Sequence, residues 1–169
     1  MPAPRFAPLV AAALALATLA ANAADLPRRK SGLWEIATAN QQGQPFAAQM
    51  CVDQKTDDLT RQLAGVGVTC SKQNVRRESA TRYVIDSVCQ FGESTATSRA
   101  VFTGSFESKY DVDITAKYVP PMMGMSEGRS TINARWISAC KPGQRPGDII
   151  LPNGMTMNVL QPQGQAPKR

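Results

Sequence analysis

Between residues 106 and 118 the chain alternates with a period of two. Phe106, Tyr110, Val112, Ile114, Ala116 and Tyr118 take turns with Glu107, Lys109, Asp111, Asp113, Thr115 and Lys117. Successive side chains of a strand point to opposite faces, so this run has one dry side and one wet side. A sheet with that need is antiparallel, because parallel sheets are covered on both faces. The neighbouring segments read the same way. Residues 33–36 and 45–52 are extended around a turn-rich cluster, Asn40, Gln41, Gln42 and Gly43. Residues 81–90 place Tyr83, Ile85, Ser87 and Cys89 on one side, with Val84 and Val88 on the other. Gly92 and Glu93 then turn the chain into a Ser/Thr-rich strand that ends at Gly104. Pro120 and Pro121 are expected to end the alternating strand, with a loop over residues 122–128. Alternation resumes over 129–138, where Ile132, Ala134 and Trp136 share a side.

One helix interrupts the strands. Thr56 is the expected cap, Asp57 and Asp58 complement the positive end of the dipole, and Leu59 and Leu63 share a face. Gly65 and Gly67 supply the stop, giving about two to three turns between Cys51 and Cys70. Towards the end, Pro142, Pro146 and Pro152 come with Gly143, Gly147 and Gly154. Such a stretch cannot be a central strand, and is expected to wrap the sheet and press Ile149, Ile150 and Leu151 against it. The fold class is therefore mainly β: a single antiparallel, strongly curved or barrel-like sheet of roughly five to seven strands, with one short helix and two disulfides.

The disulfides follow from the four cysteines, Cys51, Cys70, Cys89 and Cys140, which lie behind an export signal. Arg5 precedes a charge-free run over 6–20, and Ala21-Asn22-Ala23 has the small-x-small form of a cleavage site. That run is short for a bilayer span, so residues 1–23 are read as a cleaved signal peptide and the location as periplasmic. Residues 24–160 form one β-rich domain, and 161–169 a disordered C-terminal tail rich in Gln and Pro. In an oxidising compartment an even set of thiols forms disulfides. The thiols are widely spaced without a C-x-x-C pair, which argues against zinc and redox roles. Four cysteines allow three pairings. The expected one is Cys51–Cys70 clasping the helix, with Cys89–Cys140 tying a middle strand to the last.

The formal charge of +6 is scattered. Arg28-Arg29-Lys30 is read as part of a mobile terminus, Arg76-Arg77 as part of a solvated strand, and the charge as a solubility feature. Nucleic acid is not an expected partner, and no later segment is long and apolar enough for a membrane span.

The chain has no histidine. This excludes Ser-His-Asp and Cys-His catalysis within it, and the commonest zinc and non-haem iron sites. No Gly-rich phosphate loop appears. A two-carboxylate hydrolase needs no histidine, and Glu35, Asp86, Asp111 and Asp113 are its candidates; Asp111 and Asp113 fall on the wet side of the clearest strand. No cofactor is expected. Met122, Met123 and Met125 crowd the proline-rich loop, with Met155 and Met157 nearer the end. Thioethers select Cu(I), and the competing reading has these methionines filling gaps between loop and sheet. Trp34 and Trp136 read first as core anchors. With Phe106, Tyr110 and Tyr118 they are also the candidate ligand face.

Taken together, these landmarks resemble a family of exported bacterial proteins catalogued as a domain of unknown function, number 3617. The likeness rests on Arg-Lys-Ser-Gly-Leu-Trp-Glu-Ile at 29–36, Gln-Met-Cys-Val-Asp at 49–53 and Cys70-Ser71-Lys72. It continues through Val-Ile-Asp-Ser-Val-Cys ending at Cys89, Arg135-Trp136 before Cys140, Pro-Gly-Asp at 146–148 and Pro-Asn-Gly-Met at 152–155. The resemblance implies an exported domain with paired cysteines, and it carries no catalytic or binding residue across. The function expected is a non-enzymatic binding or accessory module for an apolar molecule or a segment of an envelope protein. The alternatives are the carboxylate-based hydrolase and a structural envelope protein with protein contacts alone.

Overall fold

The computed structural model describes residues 25–39, 45–65 and 68–161. The expected signal peptide, the expected turn at 40–43, Gly67 and the expected tail from residue 162 onward lie outside them. Among the described residues, nine strands and one helix follow in the order β1 Gly32–Ala39, β2 Pro45–Val52, α1 Leu59–Ala64, β3 Thr69–Arg77, β4 Arg82–Phe91, β5 Ser94–Ser105, β6 Lys109–Met122, β7 Met125–Ser138, β8 Asp148–Ile150 and β9 Thr156–Asn158. All the strands belong to one antiparallel sheet, in the order β3-β4-β5-β6-β7-β1-β2-β8-β9. The sheet is mainly β as expected, but it is open: β3 and β9 are its two edges. It also has more strands than expected. The Pro/Gly-rich end wraps and then adds β8 against β2 through Gln49 and Met50, with β9 outside it.

The alternation of residues 110–118 is realised in β6, where Tyr110 and Val112 are buried and Lys109, Asp113, Thr115 and Lys117 are exposed. Directly opposed residues continue the dry face sideways. Val112 faces Phe102 on β5 and Ile132 on β7, and Ala134 faces Tyr110 on one side and Ile36 on the other. The core on this inner face gathers Trp34, Tyr83, Phe102, Phe106 and Tyr110. Phe106 stacks on Tyr110 at 5.0 Å between centroids, and Trp34 lies 5.7 Å from Tyr110. Fully burying a side chain such as Phe102 contributes roughly 1.5–3 kcal/mol. Gly104 lets the β5–β6 hairpin close, since a Cβ there would stand 2.6 Å from the Lys109 carbonyl oxygen, at a φ of +127°.

Strand order overturns the expected disulfide pairing. The bonds are Cys51–Cys140 and Cys70–Cys89. Cys70 and Cys89 are directly opposed in the β3–β4 ladder. Cys51 reaches Cys140 because β1 lies between β2 and β7: Leu33 opposes Cys51 on one side and Ser138 on the other. No clasp around the helix is available. β2 and β3 stand near opposite ends of the sheet, so the segment joining them crosses the inner face instead of folding back.

Two local expectations also change. The helix is six residues long and its cap is Asp58, whose carboxylate accepts from the Arg61 N–H at 2.9 Å. Thr56 closes a turn with Asp53 instead, its N–H donating to the Asp53 carbonyl at 3.0 Å. The 122–128 loop is a tight hairpin. β6 runs to Met122, Met122 opposes Met125, and Met123-Gly124 make the turn. The β6–β7 register shifts between Lys117 and Met122, so Pro120 and Pro121 fall where the ladder needs no regular donor.

Candidate functional site

The segment before β1 is drawn onto the sheet by backbone bonds. The Lys30 N–H donates to the Phe106 carbonyl at 2.9 Å, while the Trp34 and Trp136 indole N–H groups donate to the carbonyls of Lys30 and Ser31. The Lys30 ammonium sits 4.1 Å from the Trp136 ring centroid. This leaves Arg29 pointing inward, fully buried, under the crossing segment. There it meets Asp57, also buried. The Arg29 backbone N–H donates to Oδ2 at 2.8 Å, Nη2 donates to Oδ1 at 2.6 Å, and Nε reaches both oxygens at 3.2 Å. Gln62 of α1 completes the set: its Oε1 accepts from Nη2 at 2.6 Å and its Nε2 donates to Asp57 at 3.2 Å.

Burial alone would make the Arg29 guanidinium easier to deprotonate; the Asp57 hydrogen bond and charge more than reverse this, and its pKa lies above the usual value. Burial pushes the neighbouring Tyr110 phenol up, against the opposing pull of Arg29, so its hydroxyl stays protonated. The cluster is thus charge-balanced and offers neutral hydrogen-bonding groups at its edge.

Beside it, between α1 and the inner face, is a cavity of about 620 Å³. Ile36, Met50, Phe102, Val112 and Ile132 form its floor, Leu59 and Leu63 its helix wall, and Ile149, Val159 and Leu160 its far wall. Arg29, Gln62 and Tyr110 are the part of the buried cluster that lines it, and Thr56, Asp58, Arg61 and Gln161 add further polar lining. A smaller hollow of about 240 Å³ lies further along the same face, with Leu63 again in its wall, beside Ile85, Ser98, Ala116 and Tyr118. A third, about 660 Å³, crosses the outer face, where its lining includes Lys72, Asp86, Arg99, Lys117 and Arg129.

Of the five aromatic residues of the candidate ligand face, Tyr110 lines the main cavity and Tyr118 the smaller hollow. Trp34 and Phe106 belong to the core behind, and Trp136 packs against its rim. The four candidate carboxylates stand on the outer face. Glu35 accepts from Arg135 at 2.7 Å, Asp86 from Arg76 and Arg99, and Asp111 from Asn133 at 2.6 Å, while Asp113 is exposed. Arg135, at the surface, has its pKa raised by the hydrogen bond and charge of Glu35.

Two motif matches escape the sequence reading. Gly124-Met125-Ser126-Glu127-Gly128 fits G-x-S-x-G, but it turns into strand β7 rather than a helix, so Ser126 is on no nucleophile elbow. Ser138 and Lys141 have S-x-x-K spacing, yet Ser138 Oγ donates to the Ala139 carbonyl and Lys141 Nζ to Gln49. The sequence reading also misses Arg29, Asp57 and Gln62. The only signal for Arg29 is its place at the head of the Arg-Lys-Ser-Gly-Leu-Trp-Glu-Ile run.

A family model described as protein of unknown function (DUF3617) matches residues 29–140. The chain belongs to the DUF3617 family. The matched stretch runs from Arg29 to Cys140 and holds both disulfides, α1 and strands β1 to β7. The far wall of the cavity, Ile149, Val159 and Leu160, lies beyond it. No curated protein matches the chain. Among the described residues, no helix is long and apolar enough to cross a membrane.

Proposed function

We propose that this chain is a non-enzymatic binding module that holds an uncharged apolar molecule between α1 and the inner face of the sheet. The observation that carries this reading is the cavity of about 620 Å³, walled mainly by aliphatic and aromatic side chains. Sites for small molecules usually span about 300–1,000 Å³ and combine an apolar wall with a few polar anchors. Here the anchors are Gln62 and Tyr110. The charge of Arg29 is already matched by Asp57, and the other two charged residues of the lining, Asp58 and Arg61, are of opposite sign, so the site has no net charge to offer an ionised head group. The carboxylates a hydrolase would use face the other side of the sheet, which supports binding over hydrolysis. The two disulfides suit an oxidising compartment, and we place the protein in the periplasm after removal of a signal peptide.

Native mass spectrometry of the protein from a periplasmic extract tests both parts. The expected mature chain begins at Ala24 and carries a neutral apolar adduct. A hydrophobic fluorescent dye should bind the delipidated protein and be displaced by a long-chain alcohol better than by the matching carboxylate. Ile36→Trp, which fills the cavity, should abolish dye binding. An adduct-free chain with dye binding indifferent to Ile36→Trp refutes the proposal, and a bound peptide would move the assignment to protein contacts.

A further inference from the structure

The methionines of the β6–β7 hairpin have no part in the cavity. Met123 is 92% exposed, Val119 72% and Met125 42%, so the tip stands clear of the core and Met123 and Met125 are not gap-fillers, while Met122 is half-buried. Met122 and Met125 are directly opposed across the hairpin, which puts both thioethers on one face within reach of each other. Met123 occupies the turn at a φ of +49°, followed by Gly124 at +78°. Two successive left-handed residues make the turn type that favours Asn, Asp or Gly at its first position. A methionine there gains no packing and sits in a backbone region that side chains disfavour. An unfavourable residue at such a place points to function.

The donor chemistry narrows the ligand. From Val119 to Met125 the side chains supply no carboxylate, imidazole, amide or thiol, only three thioethers. Among the described residues no group of three or more His, Cys, Asp and Glu is placed to hold a metal. Hard cations take oxygen ligands, whereas soft thioethers select Cu(I) over Zn²⁺, Mg²⁺ or Ca²⁺. We propose that the hairpin tip is a soft-metal site in which Met122, Met123 and Met125 bind one Cu(I) ion.

Anaerobic titration with Cu(I) against a chromogenic Cu(I) chelator tests this on the mature protein. The wild type should withdraw one equivalent, and Met122→Leu/Met123→Leu/Met125→Leu, which keeps the apolar shape, should bind at least about tenfold more weakly. Met155→Leu/Met157→Leu should bind as the wild type does, and Zn²⁺ should not compete. Met123→Gly separates function from structure, since it should raise the urea midpoint while weakening Cu(I) binding. Ag(I), used as a diamagnetic probe, should shift the methyl resonances of these three methionines. Equal Cu(I) affinity in wild type and triple variant overturns the assignment. So does absence of Cu(I) binding, including the case in which the tip instead drives flotation with phosphatidylglycerol vesicles.

Discussion

Arg29–Asp57 and Arg76–Asp86 are the same pair of side chains at the same nitrogen–oxygen separation, 2.6 Å, in two different solvents. The first pair has side chains 1% exposed; the second has side chains 38% and 34% exposed. On the outer face Asp86 is shared with Arg99, and Glu78 with Arg82 and Arg99, in a network that water can replace bond for bond. On the inner face every bond counts, because removing one member leaves a charge that water cannot reach. Distance therefore says little about what an ion pair contributes. The medium around it decides.

The sharpest way to break this comparison is Asp57→Ala. It strands the Arg29 charge and should cost about 3–5 kcal/mol in urea denaturation. The double variant Arg29→Met/Asp57→Leu should recover most of that loss, because it is the unpaired charge rather than the missing pair that destabilises. A double variant no more stable than Asp57→Ala would show that the loss comes from packing.

Tyr110→Phe has a smaller expected effect, about 1 kcal/mol at neutral pH from the lost hydroxyl. Its pH dependence is the sharper test. The folded-state pKa of Tyr110 is raised above its ordinary value of 10.0, so folding favours the protonated phenol. That stability is fully present below pH 10 and is lost as pH rises towards the folded-state value. The stability of the wild type relative to Tyr110→Phe should therefore hold level up to about pH 10 and fall as the pH rises beyond it. A constant difference across that range would contradict the buried, protonated phenol. Least affected of all is Asp86→Ala, expected at about 0–1 kcal/mol and shrinking further in about 1 M salt. A loss as large as that of Asp57→Ala would erase the distinction between the two faces.

Much of the sheet was legible because its signals are local. The alternation that ends at Tyr118 and the Ile132, Ala134, Trp136 face reappear in β6 and β7 with the sides expected of them. The hairpin tip was misread because proline usually ends a ladder, whereas here a register shift absorbs it. The buried cluster was misread for a different reason. Arg29 looked like one of three basic residues near a terminus, and Asp57 like a helix-dipole acidic residue. Local chemistry gives both readings fairly; only a partner 28 positions away changes them.

By itself, then, the sequence determined the period-two faces, the position of one short helix, the even set of cysteines and the exclusion of histidine chemistry, because each depends on residue type and short-range spacing. The tertiary structure alone decided which cysteines meet, which arginine leaves water, where the cavity opens and that Met122 faces Met125. The first three follow from strand order, the last from the register shift within the β6–β7 hairpin. Placing β1 beside β7, and β2 and β3 towards opposite ends of the sheet, is a choice of the whole packed sheet, set by the burial of its inner face and encoded in no single stretch of the chain.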